Sequence, residues 1–242
     1  MRNPILKDMV VMIHQPEYLP WIGFWNRLMK ADVYVILDTA TFQKHGFIHR
    51  NRVKTSNGGQ WITVPLKDKS SFTPIKDLVI DHTKNWKESQ EGVLRQSYRK
   101  TPYFEEVMQI VQKVFREDGE KIGDLDRQFF NEVARYLNIS LRVLKASDLQ
   151  AKGKGTDLLV QICKELGADT YLSGPGMREG KKAYMEPEKF GHAGIKLQIH
   201  EFEHPSYAQQ FMEQGFLSHM CILDLLFNEG PQSREILEGK RL

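Results

Sequence analysis

Polar residues that can move protons or hold anions recur in this chain just where short apolar runs end. His14 and Gln15 follow the run Val10-Val11-Met12-Ile13, and Asp38 closes a second run from Val33 to Leu37. Gln43, Lys44, His45, His49, Arg50, Asn51 and Arg52 come soon after. Imidazole can exchange a proton near neutral pH, a carboxylate can orient it, and lysine or arginine can neutralise a phosphate. His14, His49 and Asp38 are therefore the catalytic candidates. Gln15, Tyr18, Trp21, Lys44, His45, Asn51 and Arg52 are the candidates for substrate or nucleotide binding.

A second polar stretch, Ser173-Gly174-Pro175-Gly176-Met177-Arg178-Glu179-Gly180-Lys181-Lys182, follows the apolar run Thr170 to Leu172. Its glycine spacing is off the dinucleotide fingerprint, and Pro175 removes an amide donor. Its position still makes Ser173, Gly174, Gly176, Arg178 and Lys182 candidates for an anionic group. Asp224 lies within the apolar pattern Cys221, Ile222, Leu225, Leu226, where a carboxylate must be paired or must orient another group. The histidines show no helical H-x-x-x-H pair, since His45 and His49 flank Gly46 in a loop, so no metal site is expected.

These residues need a scaffold that gathers loop ends. Val10 to Ile13 reads as a strand buried on both faces, and Pro16 and Pro20 bracket an extended turn. A helix is expected from about Trp21, followed by a strand from Val33 to Leu37. That order is a βαβ unit, whose ligands lie at the carboxyl ends of the strands. Arg52 to Thr55 and Gln60 to Val64 suit a hairpin around Asn57-Gly58-Gly59, Lys67 to Thr73 is a loop, and Ile75 to Ile80 suits a short strand.

Apolar stripes then predict helices from Trp86 to Lys100, from Thr101-Pro102 through Phe115, and from Ile122 to Leu137. Leu141 to Leu144, Thr170 to Leu172 and Ile195 to Ile199 read as further strands. Thr156 is expected to cap a helix that stops at Gly167, and Ser218 to cap one that ends at Asn228-Glu229-Gly230-Pro231. The fold class expected is α/β, a mainly parallel Rossmann-like sheet with flanking helices and a helical layer in mid-chain. The chain reads as a single domain over residues 1–242, mainly helical from about 84 to 138.

With 34 Lys and Arg against 31 Asp and Glu, the net charge is +3, which supplies no broad basic field for duplex nucleic acid. Cys163 and Cys221 belong to no metal-ligand spacing and suit a reducing compartment. No signal peptide or membrane-spanning stretch is read, so the expected location is cytoplasmic.

Taken together, HQPEYLPWIGF, HRNRVK with QWITVP, KGTDLL with YLSGPG, HPSY and SHMCILDLLFNEG resemble the WbqC-like proteins. The resemblance implies a role in the biosynthesis or decoration of surface polysaccharides such as O-antigen. Val10 to Phe42 is also similar, more weakly, to the first βαβ unit of HIGH-type nucleotidyltransferases such as pantothenate synthetase. Here Trp21-Ile22-Gly23-Phe24 keeps the glycine of H-x-G-H and replaces both histidines, so the resemblance implies that Gly23 is a nucleotide-binding position where a base could approach the backbone.

The leading expectation is an amide-forming acyl- or aminoacyltransferase or ligase. It would act on an amino group, as in a nucleotide sugar, and ATP with Mg would be its cofactor if it activates a carboxylate. Lys44, Arg52, Arg178 and Lys182 would meet phosphates, Trp21 or Tyr18 would stack, and His14 or His49 would transfer a proton. The alternative is a non-catalytic nucleotide-sugar or anion-binding module of a sugar-assembly complex.

Overall fold

The computed structural model describes residues 8–175 and 185–240. In chain order the strands are β1 (Val10–His14), β2 (Val33–Ile36), β3 (Arg50–Thr55), β4 (Gly58–Thr63), β5 (Arg142–Lys145), β6 (Thr170–Ser173) and β7 (Lys196–Ile199). The helices are α1 (Ile22–Leu28), α2 (Trp86–Tyr98), α3 (Phe104–Arg116), α4 (Ile122–Tyr136), α5 (Gly155–Leu166), α6 (Pro187–His192), α7 (Ile222–Glu229) and α8 (Ser233–Leu237). The chain gathers into two compact units, one of Met1–Gln15, Arg27–Leu37 and Leu141–Phe202, the other of Pro16–Asn26, Asp38–Ser140 and Glu203–Leu242.

The first unit is built on one sheet in the order β5-β2-β1-β6-β7, with every neighbouring pair parallel. Val11 and Ile13 of β1 join Val33 and Val35 of β2 in a core that includes Leu159, Ile162 and Cys163 of α5 and Phe190 of α6. Met12 and Tyr34, of opposite parity, are buried as well. Burial on both faces explains why β1 and β2 read as unbroken apolar runs rather than alternating ones. Gly167 ends α5 with φ +69°, a left-handed conformation that glycine adopts without a side-chain clash. The Cys163 thiol is pushed up to about 12 by burial alone, so it stays protonated at neutral pH.

In the second unit β3 and β4 pair antiparallel from Arg50↔Thr63 to Thr55↔Gly58. Val107, Met108, Val111, Val114 and Phe115 of α3 are buried, as are Leu125, Phe129, Phe130 and Val133 of α4. Phe115 and Phe129 meet edge to face at 5.7 Å. Every residue of α7 from Ile222 to Asn228 is buried, and Phe227 stacks on Tyr98 at 4.4 Å.

Several local expectations need correction. Ile75 to Ile80 is a 3-10 turn followed by isolated bridges, because the amides of Ile75 and Lys76 donate to the carbonyls of Ala40 and Asp38 rather than to a ladder. Thr101 does not cap α3; its hydroxyl donates to the Tyr98 carbonyl at 2.7 Å, and α3 starts at Phe104. Thr156 lies inside the first turn of α5, where its hydroxyl accepts the Glu186 amide at 3.0 Å. The Ser218 hydroxyl is bonded to His219 Nδ1 at 2.8 Å, and Cys221 takes the N-cap position of α7. β5 is an edge strand with no fully buried residue.

Candidate functional site

In the first unit a parallel sheet brings all carboxyl strand ends to one edge. β1 ends at His14, whose carbonyl accepts the Leu37 amide at 2.8 Å just past β2. β6 ends at Ser173, whose carbonyl accepts the His200 amide at 2.8 Å just past β7. Chain order runs outward from β1 to β2 and β5 on one side, and from β6 to β7 on the other. The crevice between β1 and β6 is thus the topological switch point, where ligands of open α/β sheets bind. His14, Gln15, Ser173 and Gly174 follow those two strands, and His14 and Gln15 are half-buried.

Cations surround this edge. A Cβ added at Gly174 would run into the guanidinium of Arg27, so the missing side chain is what lets that buried arginine lie against the loop backbone. Lys30 Nζ sits 3.5 Å from His200 Nε2. Burial, Lys30 and Arg27 together push the His200 imidazole down to about 4. At neutral pH this edge therefore carries Arg27 and Lys30 as cations beside an uncharged histidine. Gly176, Arg178 and Lys182 lie outside the described residues.

The remaining candidates fall in the second unit. Asp38 is buried, and its carbonyl accepts the Lys76 amide at 3.0 Å. Lys44 and His45 are exposed. His49 is buried, edge to face against Phe42 at 5.3 Å, and its Nδ1 has no hydrogen-bond partner among the described residues. Burial, then Lys69 and Arg50, push its imidazole down to about 4.

Asn51 is a backbone clamp whose amide donates to the carbonyls of Tyr18 and Leu19 at 3.1 and 2.9 Å. Tyr18 is fully buried and donates to Gln90 Oε1 at 2.7 Å, which leaves no ring face for a ligand. Trp21 is half-buried and stacks on His219 at 4.8 Å; a Cβ at Gly23 would strike its indole. The room beside Gly23 that a nucleotide base would use thus holds the chain's own ring. Arg52 is half-buried; its carbonyl accepts the Cys221 amide at 2.8 Å, and its guanidinium lies over Gly59.

Both low-pKa histidines bear on stability. The unfolded chain binds protons on these imidazoles near pH 6.5, whereas the folded chain does so only near 4. Between those values the unfolded state holds more protons, so stability falls as pH falls, at a rate of at most about 1.4 kcal/mol per pH unit for each histidine. The thermal midpoint should decline from about pH 6.5 to about pH 4. His49→Gln and His200→Gln should each flatten the decline, and an unchanged slope in both would assign the acid sensitivity elsewhere.

Asp224 organises the polar interior of the second unit. Its Oδ1 accepts the Tyr98 hydroxyl at 2.8 Å; its Oδ2 accepts the Tyr207 hydroxyl at 2.8 Å and the Gln209 amide at 2.6 Å. Lys54 is also buried and donates through Nζ to Gln209 Oε1 at 3.1 Å and the Gly215 carbonyl at 2.7 Å. Burial lowers the lysine pKa, opposed by Asp224 and Glu213. Burial raises that of Asp224, opposed by its three hydrogen-bond donors and Lys54. Sequence reading singled out Asp224 alone, because its partners come from distant segments. Arg27, Lys30 and His200 were missed as site residues; the signal available for His200 was its place one residue beyond an expected strand.

Among the described residues no group of three or more His, Cys, Asp or Glu could hold a metal ion, and no helix is long and apolar enough to cross a membrane. A parallel sheet counted 3-2-1-4-5 within itself, with polar loops at its switch point, defines a Rossmann-like α/β protein. The chain belongs to the WbqC-like protein family, which it matches over residues 15–236. It is 30% identical over 230 residues to the uncharacterized protein Rv1507c of Mycobacterium tuberculosis, an alignment that covers 94% of this chain and 96% of that protein. No solved structure matches the chain.

Proposed function

We propose that the protein is an amide-forming acyl- or aminoacyltransferase or ligase of surface-polysaccharide or amino-sugar biosynthesis, and that it acylates an amino group on a nucleotide sugar. One observation supports this most: the switch point between β1 and β6 carries His14, Gln15, Ser173 and Gly174, with Arg27 against Gly174 and Lys30 against His200. Cations at such a crevice suit phosphates, and a histidine held at the end of a buried strand suits proton transfer. In this reading the diphosphate of the nucleotide sugar lies toward Arg27 and Lys30, and His14 takes the proton that the amine releases as the amide bond forms. The acyl group would arrive as an activated ester or thioester whose alcohol or thiol departs as the amide forms, or its carboxylate would be activated by ATP with Mg, with phosphate or AMP then departing.

The first test is ligand-induced stabilisation. A nucleotide that binds only the native state stabilises it by about 2.7 kcal/mol at roughly 100 times its Kd. That should raise the midpoint of a chain this size by roughly 5–10 °C. UDP-sugars, dTDP-sugars and ATP with Mg, each at millimolar concentration, are the probes. Lys30→Met, at an exposed position, should weaken the effect without harming the fold. No rise with any of these ligands would sink the nucleotide reading.

A further inference from the structure

In the second unit the outer side of β4 is an open strand edge. The His49 carbonyl accepts the Val64 amide at 2.7 Å, and alternation along the register then makes Asn51↔Ile62, Val53↔Gln60 and Thr55↔Gly58 the hydrogen-bonded pairs. The residues between them on β3 turn their backbone away from β4. The Arg52 carbonyl accepts the Cys221 amide at 2.8 Å, and the Lys54 amide donates to the Tyr98 hydroxyl at 2.9 Å. On β4 the residues opposite, Gly59, Trp61 and Thr63, turn their amides and carbonyls outward, where these make no hydrogen bond among the described residues. All three residues are exposed.

Natural sheets guard such edges with lysine, proline or bulges. β5 and β7, the edges of the parallel sheet, carry Arg142, Lys145 and Lys196. β4 reads Gly58-Gly59-Gln60-Trp61-Ile62-Thr63, with no charge and no proline. The charge stands one strand back, where Arg50 and Arg52 of β3 lie opposite Thr63 and Trp61. Both guanidiniums lean across β4. That of Arg50 lies 4.4 Å over the Trp61 ring, and that of Arg52 covers Gly59, where a Cβ would strike it. Neither arginine is in an ion pair among the described residues. Phe47 packs beside Trp61 at 5.8 Å, and the two rings are 43% and 42% exposed, so apolar surface stays uncovered around two unneutralised cations.

Outward amides and carbonyls at every second residue are satisfied by another strand. Guanidiniums over Gly59 and Trp61 repeat at the two-residue period with which a strand presents side chains to one face. A strand docked on β4 runs about 4.8 Å beyond it, and its residues opposite Gly59 and Trp61 point to the arginine face. A second copy of β4 would bring four guanidiniums onto that face and repel itself, whereas acidic residues at i and i+2 would each meet one cation. We propose that the β4 edge binds an extended acidic peptide by strand addition, with carboxylates at i and i+2 paired to Arg52 and Arg50.

A fluorescein-labelled peptide of alternating valine and glutamate, titrated with the full chain and read by anisotropy, is the test. It should bind saturably, and more weakly as salt rises. Arg50→Met and Arg52→Met should each weaken binding about tenfold, the contribution of one charge-assisted hydrogen bond. The same peptide N-methylated at its glutamates keeps its charges but loses the donors that would face β4, so it should not bind. That comparison decides the matter even where an arginine variant fails to fold. No binding of the alternating peptide, or equal binding of its methylated form, overturns strand addition. Unchanged affinity in both arginine variants overturns the charge pairing. Tighter binding of oligouridylate than of the peptide would give the rings and arginines to single-stranded nucleic acid and overturn the proposal. A dimer lost in Trp61→Lys and undisturbed by the peptide would assign the edge to a second copy and overturn it as well.

Discussion

Replacing Asp224 by alanine is expected to cost the fold about 3–5 kcal/mol, a large share of the total stability of an ordinary domain. The carboxylate is fully buried and accepts three hydrogen bonds, from Tyr98, Tyr207 and Gln209. Alanine would leave two phenol hydroxyls and an amide without their acceptor, in a place water cannot reach. It would also remove the negative charge that favours the buried Lys54 ammonium. Asparagine should rescue little, since its NH2 group would face donors where an acceptor is required. Urea unfolding of the wild type and both variants measures the cost. A loss under about 1 kcal/mol for Asp224→Ala, the net value of an ordinary hydrogen bond, would mean that the network is not a stabilising centre.

The second large effect is expected at His14. His14→Gln should lower the rate of amide formation by about 10² or more, the usual contribution of a positioned acid or base, while the thermal midpoint stays close to that of the wild type. The fold should survive because the buried residues of β1 are Val11, Met12 and Ile13, and the histidine is only half-buried at the strand's end. Product mass, after incubation with ATP, candidate amino acids and amino-sugar nucleotides, is the measurement. Full-rate product from both His14→Gln and His14→Ala would take His14 out of the chemistry. An unfolded variant would instead assign it a structural part in the turn. A wild-type protein that binds nucleotide sugar and yields no product would favour the binding-module alternative.

The strand ends were legible because fully buried strands leave unbroken apolar runs, and His14, Asp38 and Ser173 stand where such runs stop. Parallel pairing then places His14 and Ser173 on one edge of the sheet. Helix starts were less legible. Thr101, Thr156 and Ser218 carry the right hydroxyl for a cap, but each spends it elsewhere, on Tyr98, Glu186 and His219 respectively. Asp224 could be flagged from its apolar neighbours, yet nothing local pointed to Lys54, Tyr98 or Gln209, since a buried hydrogen bond between distant residues leaves no periodic trace. Gly23 shows the opposite limit. The resemblance to H-x-G-H implied an approach by a ligand, whereas its neighbour in space is the indole two residues before it.

The sheet of the first unit also constrains how the chain reaches its native state. β1 and β2 are separated by little more than α1 and can pair early, whereas β5 joins the free side of β2 only after β3, β4 and three helices have been spanned. Closing that longer loop costs on the order of 1–2 kcal/mol more in chain entropy. Non-local parallel pairing of this kind is slow, so docking of β5 should belong to a late step of folding. Until then the outer edge of β2, fully buried in the finished sheet, is an open strand edge available to other chains.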